Sequence, residues 1–160
     1  EQLTAHEALE HVRSQVAMEI PDGLSFVPDH AISAPNVGSD RARLTQVFLN
    51  TVRNAAEVMD GERAEGRAVI VLRTRIVRDV MAGTERARMA LAVDIIDNGP
   101  GVPVDMQEKI FYPLVTGRAE GSGLGLSLAQ TFVRQAGGTI TLESVPGRTI
   151  FRVLLPFSQS

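Results

Sequence analysis

The sequence has no cysteine, one lysine (Lys109) against fifteen arginines, no long hydrophobic run and no leading methionine. Each absence excludes something. Without cysteine there are no disulfides, no thiolate nucleophile and no cysteine-based metal site, which is compatible with the cytosol. No apolar run approaches the ~20 residues that a membrane-spanning helix needs. The opening Glu1-Gln2-Leu3-Thr4 lacks the basic n-region and apolar core of a signal peptide. A start without methionine fits a fragment or a processed product. The expected location is cytoplasmic, with no membrane partner. A formal charge of −3 lacks the basic excess of a dedicated nucleic-acid binder, so no nucleic-acid partner is expected. The arginine bias suits planar phosphate recognition, and genome base composition explains it equally well.

What is present is an ordinary globular composition over 160 residues, 44% hydrophobic and 22% charged. That is enough chain for one domain, 1–160, with a sizeable core, and it argues against disorder. The glycines are unevenly placed: nine of 14 lie between Gly99 and Gly147, and six of those between Gly99 and Gly125. Glycine stands where backbone must bend unusually or approach something closely.

Periodicity outlines the elements. Residues 3–19 read as an amphipathic helix on Leu9, Val12, Val16 and Ile20, stopped by Pro21-Asp22-Gly23. Leu24 to Val27 is a short strand, and Pro28 to Ser39 a loop. Asp40 is a good N-cap for the clearest helix, whose stripe is Leu44, Val47, Phe48, Val52, Ala55 and Met59. Asp60-Gly61 closes it. Asn50 and Asn54, four apart, project together at the edge of that stripe. Residues 68–77 and 89–96 read as strands, with a charged hairpin loop, Arg78 to Arg88, between them. Gly99 to Ser122 has no period and many turn residues; a loop that long in a compact domain is usually functional or mobile. Leu124 to Ala136 is a third long helix, stopped by Gly137-Gly138. Thr139 to Ser144 and Thr149 to Leu155 pair through Val145-Pro146-Gly147-Arg148. Helices alternating with antiparallel strand pairs predict an α/β two-layer sandwich, with helices over one face of a mixed sheet.

Three motifs carry chemistry. In Ile95-Ile96-Asp97-Asn98-Gly99-Pro100-Gly101 a β-branched strand delivers a carboxylate, and glycines then turn the chain sharply. An ionised carboxylate only accepts hydrogen bonds, and an exocyclic amine such as that of adenine suits it; a turn-stabilising aspartate suits the same residues. Gly121-Ser122-Gly123-Leu124-Gly125-Leu126 opens into a helix, where exposed N–H groups and the helix dipole attract an anion. It is neither a Walker loop nor a dinucleotide fingerprint, since no Gly-Lys-Ser/Thr follows and Leu126 replaces the third glycine. A tight helix–sheet junction is the other reading. The third motif is Asn50-x-x-x-Asn54-Ala55.

In chain order, with the Asn50 motif first, the Asp97 motif second and the Gly121 motif third, they resemble the ATP-binding domain of sensor histidine kinases, with its asparagine box and two glycine boxes. Phe111-Tyr112-Pro113-Leu114 resembles the phenylalanine box, and Pro146-Gly147-Arg148-Thr149 the last glycine-containing box. The resemblance covers about Asp40 to Pro156. It is strongest to the nitrogen-regulation branch, through Phe111 to Arg118 and the short lid that follows. It implies ATP and Mg²⁺ as cofactors. Asp97 would bind the adenine amine, with a water held by Thr149. Asn54 and, second to it, Asn50 would hold Mg²⁺, which favours oxygen ligands. Gly99 and Gly101 would form the turn behind Asp97, ahead of an ATP lid from Val102 to Ser122. Gly121, Ser122, Gly123, Leu124 and Gly125 would pass close to the phosphates. Arg118 is the candidate cation for the transferring γ-phosphate, catalytic together with Asn54. Arg53 suits a surface role as well as a phosphate role.

Two departures stand out. The lysine and aromatic residue common after the Asn-Ala pair are here Glu57 and Val58, which shifts weight onto Arg118. The phosphoacceptor pattern is absent: His6-Glu7 begins that way, but Ala8 to Val16 has no proline. His6 and His11, five apart, diverge on a helix and read as helix-surface residues; His30 lies in a loop with no partner in sequence. The implied partners are therefore the kinase's own dimerisation and phosphoacceptor domain, a response-regulator receiver domain and, for the nitrogen branch, the PII signalling protein. The implied reaction is γ-phosphoryl transfer to a histidine elsewhere. Two other readings are an ATPase of the same superfamily, whose glutamate base is here Asn50 and so cannot take a proton from water, and a nucleotide-sensing module that transfers nothing.

Overall fold

The computed structural model describes residues 4–30, 41–112 and 125–157. The order is α1 (Ala5–Glu19), β1 (Leu24–Asp29), α2 (Arg41–Glu57), α3 (Asp60–Ala64), β2 (Ala68–Ala82), β3 (Glu85–Asp97), α4 (Val104–Gln107), α5 (Gly125–Gln135), β4 (Thr139–Val145) and β5 (Arg148–Pro156). The strands form one sheet in the order β1-β2-β3-β5-β4. β1 runs parallel to β2 and every other pair is antiparallel, so the sheet is mixed.

Strand pleat makes the two layers. The register Leu72↔Ile95↔Phe151↔Leu142 sets one apolar row across four strands, and Thr74↔Val93↔Val153↔Ile140 sets the next. Against this floor pack Leu9, Val12 and Val16 of α1, Val47, Phe48 and Val52 of α2, and Leu126, Ala129 and Val133 of α5. α2 touches both other long helices and lies between them. No helix among the described residues is long and apolar enough to cross a membrane.

Helix ends follow local chemistry. Thr4 and Glu7 form a capping box on α1, with the Thr4 hydroxyl accepting from the Glu7 N–H at 3.2 Å. Gly137, at φ +79°, ends α5, and the Gly138 N–H donates to the Val133 carbonyl at 2.8 Å. Asp40 lies outside the described residues, so its capping role does too.

The opposite sheet face is held by charge. Asp94 is fully buried there, its carboxylate accepting from Arg73 at 2.7 Å and Arg152 at 2.7 Å, with Arg75 at 3.4 Å. Burial alone would raise the Asp94 carboxyl; the hydrogen bonds from Arg152 and Arg73 outweigh it and hold the group below its ordinary range.

Four sequence expectations change. The charged stretch Arg78 to Arg88 is not a loop: β2 and β3 stay paired up to Ala82↔Glu85 around a Gly83-Thr84 turn, with Gly83 at φ +65°. Cross-strand hydrogen bonding outlasts the hydrophobic floor, so charge on both faces hid the ladder. Asp60-Gly61 does not simply close α2; α2 ends at Glu57 and Asp60 starts the short α3. α4 interrupts the long loop after Gly99. Finally, His6 is not a plain surface residue. Its Nε2 lies 2.8 Å from the Thr74 hydroxyl and its ring stacks on His30 with centroids 4.4 Å apart. Burial, then the neighbouring His30, push the His6 imidazole below its ordinary value.

Candidate nucleotide site

On the helix-covered face the rows are apolar, Thr74 apart, until β3 ends. There the floor turns polar: Asp97 stands opposite Thr149, and Thr149 opposite Ser144. Asp97 and Thr149 are both 3% exposed. The Asp97 carboxylate accepts from the Gly99 N–H at 2.9 Å. Burial pushes its carboxyl up to about 6, the Gly99 N–H opposes this, and Glu62 on α3 adds to it. A buried carboxylate with one protein donor has acceptor capacity left over for a ligand.

The turn behind it needs glycine twice. A Cβ at Gly99 would fall 2.9 Å from Met59 Cγ and 3.0 Å from Asp97 Oδ1. Gly101 has φ +89°, and its Cβ would meet the Val145 carbonyl at 3.0 Å. The β4–β5 turn therefore presses on the Gly99-Pro100-Gly101 turn, and the Gly147 N–H donates to the Gly99 carbonyl at 2.9 Å.

Asn98 was passed over in the sequence because its motif gave it no separate chemistry. Its Oδ1 accepts from the Val69 N–H at 2.8 Å and its Nδ2 donates to the Arg67 carbonyl at 2.8 Å. The side chain thus continues the β2–β3 ladder one step beyond the last backbone pair and fixes the end that carries Asp97.

Asn50 and Asn54 are half-buried and one turn apart on α2, and Met59, just past the end of α2, lies against Gly99. The two asparagines are not equivalent. Asn50 Nδ2 donates to the Gly125 carbonyl at 2.9 Å, and its Oδ1 accepts from Gln46 at 2.7 Å. Asn54 has no side-chain hydrogen bond among the described residues. Gly125 opens α5 directly against α2, where a Cβ would sit 3.8 Å from Asn50 Cβ and Cγ. Asn50 therefore joins two helices, while Asn54 keeps an amide oxygen available to a cation.

A family model described as "Histidine kinase-, DNA gyrase B-, and HSP90-like ATPase" matches residues 39–159. The chain belongs to this family. Among curated proteins it is similar to the sensory histidine kinase/phosphatase NtrB of Escherichia coli O157:H7, with 42% identity over 151 residues, covering 94% of this chain and 42% of that protein. It is also similar to NtrB of Rhodobacter capsulatus, at 39% identity with the same coverage. The chain thus spans about two-fifths of the length of the curated relatives it matches. Among solved structures, the catalytic domain of histidine kinase ThkA aligns with TM-score 0.79 and 24% identity, covering 98% of this chain and 94% of that one. Full-length ShkA in complex with AMPPNP aligns with TM-score 0.78 and 21% identity, covering 100% of this chain and 31% of that one. These likenesses show the fold, and the curated relatives are sensory histidine kinases/phosphatases matched over part of their own length.

The family reading sorts the expected residues. Asp97, Gly99, Gly101 and Thr149 converge at the end of the sheet, Asn50 meets Gly125 where α2 and α5 touch, and Asn54 lies one turn further along α2. Arg118, Gly121, Ser122, Gly123 and Leu124 lie outside the described residues. Arg53 takes the surface role, paired with Glu19 at 2.7 Å across α1 and α2. Phe111 packs edge-on against Phe151 with centroids 6.1 Å apart, which anchors the segment after α4 to the core.

Proposed function

We propose that this domain binds Mg-ATP and donates the γ-phosphoryl group to a histidine of a separate dimerisation and phosphoacceptor domain. The observation that carries this reading is the buried carboxylate of Asp97 at the end of an apolar floor, with one hydrogen-bond donor, the Gly99 N–H, among the described residues. Asp97, ionised above about pH 6, would accept from the adenine amine; the apolar row Ile95-Phe151-Leu142 lies just behind it. Thr149 supplies a hydroxyl beside it. Asn54 fits a Mg²⁺ ion because its amide oxygen is unspent, and Asn50 would join it only by giving up Gln46. The ion, when bound, would offset charge on the β- and γ-phosphates. Gly121, Ser122, Gly123 and Leu124, leading into Gly125, would offer N–H groups to the phosphates, and Arg118 a cation to the γ-phosphate. In the transfer, the bond from γ-phosphorus to the bridging oxygen breaks, a phosphorus–nitrogen bond to the imidazole forms, and ADP leaves. The phosphoryl group would pass on to an aspartate of a response-regulator receiver domain in nitrogen regulation, with PII as regulator and the cytoplasm as location. The likeness of ShkA, solved with AMPPNP, and the NtrB relatives support this.

Hydrolysis by this domain alone is disfavoured by Asn50, an amide held between Gln46 and Gly125 where a base would have to stand. The test is calorimetric titration with ATP, using Asp97→Asn as control. Unchanged binding in the variant would sink the adenine assignment. Labelled ATP plus a separately made phosphoacceptor domain then reads the transfer: phosphohistidine is expected, and ATP binding without it would favour a sensing module.

A further inference from the structure

Resting on the reading that adenine sits against Asp97, we infer that Ser144 is a specificity-determining residue, which orients the Thr149 hydroxyl as a donor toward the purine edge. The polar row Asp97–Thr149–Ser144 crosses three strands on one face. At its outer end the direction of hydrogen bonding is fixed by backbone. The Val102 N–H donates to Ser144 Oγ at 2.8 Å, and an amide N–H cannot do otherwise. Gln107 holds that peptide in place, its Nε2 donating to the Val102 carbonyl at 2.9 Å and to the Ser144 carbonyl at 3.3 Å. Ser144 Oγ also lies 2.7 Å from Thr149 Oγ1, in a bond that either hydroxyl could donate.

The surroundings choose between the two. Thr149 Oγ1 is the sole remaining acceptor that Ser144 meets among the described residues. With adenine seated, ring N1 takes the Thr149 proton and Thr149 Oγ1 takes the Ser144 proton, so every donor of the row is used; if Thr149 donated to Ser144 instead, ring N1 and the Ser144 proton would both go unmatched among the described residues. With Ser144 donating, the Thr149 proton is left for a ligand atom beside Asp97, its cross-strand neighbour. The chain of donors then runs Val102 N–H, Ser144 O–H, Thr149 O–H.

This polarity reads the base. Adenine offers an amine donor and, next to it, the ring-N1 acceptor; hypoxanthine and guanine offer the reverse. Asp97 as acceptor and Thr149 as donor match adenine at both atoms by direct contact. Asp97 alone reads one atom. Thr149 could serve either kind of base if its proton were free to turn, and Ser144 removes that freedom.

The experiment compares binding of ATP with its 1-deaza analogue, in which ring N1 is replaced by C–H, by calorimetry on this chain and two variants. The wild type should bind ATP about tenfold more tightly than the analogue, the worth of roughly one hydrogen bond. In Ser144→Ala the ratio should fall close to one, and Ser144→Thr, which keeps the hydroxyl, should restore it. Circular dichroism confirms that each variant is folded. A full ratio retained in Ser144→Ala, or an equal loss for both ligands, would overturn the inference by reducing Ser144 to a packing residue. Equal binding of the two ligands by the wild type would overturn it whatever the variants do. Failure of the wild type to bind ATP would strike the nucleotide reading itself, a separate result.

Discussion

Replacing Asp97 by Asn should change how stability depends on pH, in a direction set by burial. The carboxyl moves from an ordinary value of 3.8 to about 6 on folding. Because the folded value is the higher one, the protonated folded state is favoured. The associated stability is fully present below 3.8 and is lost as pH rises through about 6. The difference, roughly two pH units at about 1.4 kcal/mol each, makes ~3 kcal/mol of stability that the ligand-free domain gives up between mildly acidic and neutral pH. Asparagine keeps the acceptor for the Gly99 N–H and carries no proton to lose. Urea unfolding followed by circular dichroism at about pH 4.5 and about pH 7.5 isolates the effect, because other titrating groups are common to both proteins and cancel. The stability of Asp97→Asn relative to wild type should rise by about 2 kcal/mol between the two pH values, because part of the loss has already occurred by about pH 4.5. A relative stability that is flat, or that moves the other way, would refute the argument that Asp97 is desolvated at the expense of the fold.

Other predictions test the neighbouring groups. Gly99→Ala should weaken nucleotide binding and destabilise by about 1–3 kcal/mol, since its Cβ collides with buried Met59 as well as Asp97; thermal melts and ATP titration read both losses. Asn54→Ala should abolish the Mg²⁺ dependence of ATP affinity with little change in melting temperature. Asn50→Ala should lower stability by about 1 kcal/mol through loss of the Gly125 bond. Asp94→Ala should cost about 1–3 kcal/mol, because the half-buried Arg73 and Arg152 lose the carboxylate they share while water still reaches them. Because the folded Asp94 value is depressed, its contribution is present above the ordinary carboxyl range and fades as pH falls below it, the reverse of Asp97, which acid unfolding would show.

How much of this was legible in the sequence depends on the kind of signal. The three long helices and the strands that carry the floor follow from period, because each buries one face. The ends of β2 and β3 did not, since beyond Val77 only Ala82 of β2 is buried and the ladder continues on backbone pairing. Asp97 was visible because glycines surround it. Ser144 was not, because its value comes from lying opposite Thr149 across a turn, and sequence shows a serine in a strand and nothing more. Strand parity could have exposed it: once Asp97 faces the core, the antiparallel pairings put Thr149 and Ser144 in the same row. The inequality of Asn50 and Asn54 was likewise hidden, since it turns on Gln46 and the Gly125 carbonyl.

The two aspartates of β3 have a consequence for strand alignment. They lie three residues apart, so the pleat sends Asp94 to the arginine face and Asp97 to the helix face. Sliding β3 by one residue would exchange those faces. Asp94 would enter the apolar floor among Val153 and Leu72, while the guanidiniums of Arg73 and Arg152 would be left looking at isoleucine. An apolar strand such as Ile95-Ile96 could tolerate that slip on hydrophobicity alone. The two carboxylates make it prohibitive, so one strand's charges lock the register on which the geometry of the nucleotide site depends.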